Sequence, residues 1–451
     1  MNQRLDDRRA RLVEALRAQR RTRAPERLPL TATQQGIWLA EQLSPGVSGY
    51  HDTAVLRIDG PFDTEALRLA FGDARTAHEA MRCRVKEIDG EPWQSFDAPA
   101  PELAYSDLGA VDAKTVAARV ERLAALAATE PFDLEAGPLW RARLVRLNAD
   151  EHVLVLVVHH LISDGWSHGV LLRSLLSHYS ARSRNPVPPA APDGDGYRAW
   201  LLHRVAQERA AVESGRARHV AALLSQAPYQ ATLPRRDDRA GDRLAVAVSL
   251  PVTQRTWTAF DRACRRAGAT PYMGLTGLFG LLLARTTGGE TAVLASPVAL
   301  RDAPGTAGLM GCLINVVPVA VRTLPTTGPA QAIEAGRDAV LAALRYADVP
   351  YRDVARALGT LPAADDPVTN VGVEEFNAPE EPVRLGDLMV SPQPRGQVRL
   401  RHDLALSVPR NATGAQLLHP ADRWSPSESC SFAERMAEVI GEAAMAAARE
   451  E

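Results

Sequence analysis

Two adjacent histidines, an aspartate and a glycine stand together at His159-His160-Leu161-Ile162-Ser163-Asp164-Gly165. A neutral imidazole with pKa ~6.5 takes a proton from an attacking amine or hydroxyl near neutral pH. A base positioned in this way is worth roughly 10²–10⁴ in rate. Gly165 leaves its backbone N–H open to close approach, either as a donor to a developing oxyanion or simply as a turn glycine. Asp164 is too short and too tightly turned to be assigned as a relay partner, and it serves equally well to hold the loop through an arginine. The chain carries neither a Gly-x-Ser-x-Gly elbow nor a catalytic-cysteine signature, which favours attack by an external acceptor over a covalent enzyme intermediate.

These residues need a rigid mount, and the flanking pattern supplies one. Six apolar residues at 153–158 predict a strand buried on both faces. After the motif, Val170, Leu171, Leu175 and Tyr179 recur at helical spacing. Neighbouring strand side chains face opposite ways, so only one of His159 and His160 looks into a given cavity. That argues against a two-histidine metal site and for one working histidine beside a structural one. Trp166 and Ser167 begin the following helix, with Ser167 as a possible cap.

At 451 residues the chain suits two lobes of roughly 200 residues each. Helical patterns at 63–78 and 112–128 precede the motif. Further helices are expected at 197–225, 253–266, 271–286, 330–343 and 432–448, with strands at 243–250, 291–296 and 313–321. This alternation predicts an α/β chain with two-layer α+β lobes. The stretch 185–194, rich in proline, cannot continue a helix and marks the lobe boundary. The expected division is a basic extension at 1–27, a first lobe at 28–185, a linker at 186–195 and a second lobe at 196–451.

A net charge of −2 gives no global attraction to nucleic acid or membrane. No apolar run approaches the ~20 residues of a membrane span. Cys83, Cys264, Cys312 and Cys430 lack metal-ligand spacing and fit a reduced, cytoplasmic protein.

The motif resembles the His-His-x-x-x-Asp-Gly signature of the condensation domains of non-ribosomal peptide synthetases, and the likeness runs on in order through the chain. Leu28-Pro29-Leu30-Thr31-Ala32-Thr33-Gln34-Gln35-Gly36-Ile37-Trp38 resembles the family's opening motif. His78, Glu79 and Arg82 match its second, Tyr197-Arg198-Ala199-Trp200 its fourth and Met310-Gly311-Cys312-Leu313-Ile314-Asn315 its fifth. The sixth keeps Asp348-Val349-Pro350-Tyr351 but has Tyr346-Ala347 where His-Gln is usual. The seventh is not recognisable in 361–369, and the strand 370–376 carries Glu374 and Glu375 where relatives are apolar or amide-bearing.

The resemblance implies two chloramphenicol-acetyltransferase-like lobes in a V-shaped pseudo-dimer, with an active-site tunnel between them. It implies transfer of an acyl or aminoacyl group from a carrier-protein phosphopantetheine thioester to an amine or hydroxyl. Donor and acceptor would reach a free-standing enzyme in trans. No resident cofactor or metal is implied, because the pantetheine arm belongs to the carrier. His160 would deprotonate or orient the acceptor, and Gly165 would serve the oxyanion. His159, and Asp164 paired with Arg301, would support the loop. Asn315, Trp166, Ser167 and Glu374 would lie along the tunnel. The nine arginines at 4–27 either pack as a solvated helix or steer an acidic carrier protein. Two rival readings remain: a coenzyme A-dependent acyltransferase, and a non-catalytic domain that recruits partners.

Overall fold

The computed structural model describes residues 27–43, 49–109, 113–184, 196–225, 230–233, 243–359, 369–376, 382–393, 399–409 and 413–449. The basic extension at 1–26, the proline-rich linker at 186–195 and the segment 361–368 lie outside the described residues.

The strand Glu151–His159 is buried from His152 onward, and its two faces meet different cores. Leu154, Leu156 and Val158 enter a cluster with Phe71, Leu139, Trp140 and Leu171. Val153, Val155 and Val157 enter another with Val55, Ala124 and Val145. A strand covered on both sides has no polar face to show, hence the continuous apolar run. Burying each such side chain contributes about 1.5–3 kcal/mol.

This strand is central in a six-stranded sheet ordered Val383–Leu385, Leu388–Pro392, His51–Asp59, Glu151–His159, Trp140–Arg146, Leu103–Asp107. Only its last pair is parallel. Register sets His51 opposite His159 and Asp52 opposite Val158. The helix Thr64–Ala77 packs on it through Ala66, Ala70, Phe71 and Ala74, with Asp63 capping the amides of Glu65 and Ala66. A second six-stranded sheet is ordered Ile314–Arg322, Thr291–Ala299, Val371–Phe376, Leu404–Pro409, Gln416–Pro420, Ala245–Ser249, with parallel pairs at its middle. The helices Pro271–Thr287, Pro329–Leu344 and Pro426–Arg449 cover it.

A division at 186–195 does not separate the two sheets. Val383–Leu385 and Leu388–Pro392, from the expected second lobe, extend the first sheet, and Leu388 and Val390 join its core. The crossing covers the edge that His51–Asp59 would otherwise expose. The expected helix at 197–225 is also two helices, Gly196–Glu213 and Arg216–Leu224, because Gly215 adopts a left-handed conformation (φ 77°). Among the described residues no single helix is long and apolar enough to cross a membrane. The apolar helix Pro271–Thr287 owes its composition to burial in the second core.

Candidate active site

Where the central strand ends, the chain makes one turn of 3₁₀ helix, His160–Ile162, before the long helix Gly165–Arg184. Leu161 and Ile162 are fully buried and pin this turn to the core. His160 is fixed by its backbone and by one ring nitrogen. Its N–H donates to the Tyr50 carbonyl at 2.8 Å. Its Nδ1 lies 2.7 Å from the Ser163 carbonyl, which only accepts, so Nδ1 carries a proton. The side chain remains 24% exposed, and its Nε2 edge faces Asp52 Oδ2 at 3.8 Å. Burial opposes charge on this ring, but the Asp52 carboxylate, a hydrogen bond with Cys312 and the Ser163 carbonyl outweigh it. Together they push its pKa up to about 10.

The loop after His160 is clamped by the chain that follows Thr291–Ala299 of the second sheet. Arg301 Nη2 donates to both Asp164 oxygens at 2.8 Å, and the pair is almost fully buried. Arg301 Nη1 donates to the carbonyls of Thr306 and Leu309. Asp164 also accepts from the Ser167 amide at 2.8 Å and from the Leu313 amide at 3.0 Å. Each charge thus has a charged partner and further hydrogen bonds, which is what makes such a pair tolerable inside a protein. Asp164, not Ser167, caps the helix. The Ser167 hydroxyl is buried between Asp164, Arg301 and Gly311, within the clamp.

His159 points to the opposite face and is completely buried. Its Nδ1 accepts from the Leu161 amide at 3.1 Å, which puts the ring proton on Nε2, 3.1 Å from Glu41 Oε1. His51 packs edge-on against it, with its own Nδ1 2.7 Å from the Ala128 carbonyl. Burial pushes the His159 pKa down despite Glu41, and pushes His51 down to about 4. Glu41, His51 and His159 come close enough to suggest a cation site. The tautomer that Leu161 imposes makes His159 Nε2 a donor to Glu41, so the group is a hydrogen-bonded pair with an adjacent neutral ring.

The structure therefore gathers His160, Gly165, Asp164, Arg301 and Ser167 at one place. Gly165 is exposed, and a Cβ there would meet nothing. Trp166 is 38% exposed, with its indole N–H donating to the Ala307 carbonyl. Asn315 is different: it is buried, and its amide donates to the carbonyls of Ala347 and Val349. It ties Ile314–Arg322 to the chain before Tyr351–Ala357. Glu374 lies half-buried on the second sheet, opposite Ser407. Together with burial, the carboxylates Glu375 and Glu374 raise the nearby Tyr272 hydroxyl to about 12. Arg82 sits at a helix end, donating to the carbonyls of Arg75 and Thr76. Gln34, from the opening motif, reaches the Leu161 carbonyl and the Tyr197 hydroxyl.

Three groups around the histidines escaped the sequence reading. Cys312 lies within a quoted motif, where an odd thiol in an apolar stretch was the available signal. Asp52 and Glu41 gave no local signal, because only the pairing of His51–Asp59 with Glu151–His159 and the packing of Ala32–Leu43 bring them in.

The profile of a family described as the condensation domain matches residues 25–446. Over 344 residues, 74% of this chain, the sequence is 33% identical to phosphinothricin tripeptide synthetase PhsC of Streptomyces viridochromogenes. The chain spans 31% of that synthetase. Among solved structures, the X-domain from teicoplanin biosynthesis superposes with a TM-score of 0.79 at 22% identity, over 94% of this chain and 96% of that one. SgcC5 from Streptomyces globisporus does so with a TM-score of 0.72 at 23% identity, over 93% and 99%. These likenesses establish the chloramphenicol-acetyltransferase-like fold, with mixed open sheets.

Proposed function

Because this chain belongs to the condensation-domain family, we propose that it joins an acyl or aminoacyl group to an amine or hydroxyl acceptor, forming an amide or an ester in non-ribosomal peptide or related biosynthesis. The donor is a phosphopantetheine thioester on a carrier protein, delivered in the cytoplasm. One observation carries the reading. The His160 side chain is part-exposed on a turn whose neighbours His159, Ser163 and Asp164 are buried and bonded. Such a mount holds one imidazole against a reacting group without reorganisation, which is what positioned catalysis requires. The acceptor atom attacks the thioester carbonyl carbon, the Gly165 N–H serves the oxyanion, and the thiol of the arm leaves. Trp166 and Glu374 are the candidates for the tunnel wall that meets the acceptor.

Intact-protein mass spectrometry tests this. A loaded carrier is incubated with a panel of amines and alcohols; alcohols belong in it because SgcC5 was solved with a naphthyl ethanediol. The acyl mass should leave the carrier and appear on one acceptor, at least ~10² more slowly with His160→Ala. A folded His160→Ala variant with near-normal turnover overturns the reading. The same acyl group on coenzyme A should transfer more slowly than on the carrier; the reverse order favours the coenzyme A-dependent alternative. A second reading, a recruiting domain without catalysis, draws on the likeness to the teicoplanin X-domain, which was solved in complex with OxyB. It predicts a stable complex with a partner and no acyl loss from any loaded carrier.

A further inference from the structure

The carboxylate of Asp52 has no role in the reading so far. It stands opposite Val158 in the strand register, so it faces away from the His51–His159 pair and toward the side that His160 occupies. Its Oδ2 lies 3.8 Å from His160 Nε2 and 3.8 Å from His168 Nε2. That distance is long for a hydrogen bond but within the range at which an opposite charge moves a titration by about 1–3 pH units. Because Nδ1 is committed to the Ser163 carbonyl, Nε2 is the ring nitrogen that Asp52 faces.

Every neighbouring element adds a group. From the chain before the second sheet comes Cys312, which raises the ring alongside Asp52 and whose own thiol is raised by burial. From the long helix comes His168, on the far side of the same carboxylate. Asp164 has its charge matched by Arg301. Tyr50 meets the ring edge-on at 6.3 Å and holds the Arg401 guanidinium on its hydroxyl. His159 is turned away to Glu41. Asp52 is thus the carboxylate that faces Nε2.

We propose that Asp52 is a positioning residue for the transfer reaction: its carboxylate keeps a proton on His160 Nε2 and holds that edge toward the acyl site, so that His160 enters the reaction as an acid. The proposal rests on the condensation reading. The acceptor atom bonds to the thioester carbonyl carbon while Nε2–H stabilises the oxyanion. As the C–S bond breaks, the Nε2 proton passes to the leaving sulfur. The proton lost by the acceptor returns to Nε2, and no other reactant is consumed.

The test is the titration of His160 in the full chain, followed by imidazole NMR and assigned by comparison with His160→Ala. The wild-type ring should titrate above about pH 8, and Asp52→Asn should lower the midpoint by at least about 1 unit. Asp52→Glu should restore most of the shift. With a turned-over donor, the alkaline fall of kcat should move to lower pH in Asp52→Asn, which a merely structural carboxylate would not cause. A midpoint moved by less than about 0.3 unit, or a wild-type ring titrating below about pH 7, overturns the proposal. If Asp52→Asn does not fold, the wild-type midpoint alone decides. Turnover without a midpoint shift removes only the role of Asp52. A midpoint shift without turnover of any donor removes the condensation reading and leaves the coupling between Asp52 and His160.

Discussion

His159 and His160 are neighbours in sequence, yet they occupy opposite chemical worlds. His159 is sealed among Phe132, His51 and Glu41, and burial holds it and His51 neutral. His160 keeps part of its ring exposed, and Asp52 holds charge on it. One step along a strand exchanges one face of the sheet for the other. The same residue type thus becomes a packing group on one side and a reactive group on the other. Desolvation against a nearby carboxylate decides between them, and the Asp164–Arg301 clamp keeps the arrangement from relaxing.

The largest effect is expected at the clamp. Asp164→Ala leaves Arg301 buried without its carboxylate and should destabilise the protein by about 3–5 kcal/mol in denaturant unfolding. The double variant Asp164→Ala/Arg301→Leu should recover part of that loss. Full stability with lost activity in the single variant would make Asp164 a reacting group instead. Next comes His160→Ala, with turnover down at least ~10² in a protein that still folds. His159→Ala should show the opposite pattern. It loses the Glu41 hydrogen bond and leaves a cavity, about 2 kcal/mol of stability, while turnover drops less than about tenfold. Equal activity losses at the two positions would erase the contrast.

The pH dependence of stability differs in sign for the two faces. His51 titrates near about 4 when folded and ~6.5 when unfolded. The unfolded state binds the extra proton between those values, so its contribution is full above pH ~6.5 and falls as pH drops toward 4. His160 is raised to about 10, so its contribution is full below ~6.5 and is lost as pH rises through 10. Unfolding measured across this range should show both slopes. Asp52→Asn should flatten only the alkaline one, and a variant that flattens the acid one instead would reverse the assignment.

Much of this was legible along the chain. The apolar run at 153–158 announced a strand covered on both faces, and the alternation rule separated the two histidines before any coordinates. The single helix expected at 197–225 failed at Gly215, since a periodic pattern does not reveal one residue with positive φ. An amide in an apolar strand shows a need for partners, but only the structure shows that the Ala347 and Val349 carbonyls answer Asn315. Ser167 was read as a cap when the neighbouring carboxylate was the better acceptor.

The sequence alone determined that a strand would hand one imidazole to the start of a helix, because periodicity and the motif are local properties. Tertiary structure decided that imidazole's protonation. Asp52 arrives by strand pairing and Cys312 from the chain leading into the second sheet, while Glu41, from a helix packed behind, meets His159 instead. Desolvation and Coulomb interaction act through space over a few ångströms, and the order of residues along a chain does not encode that distance.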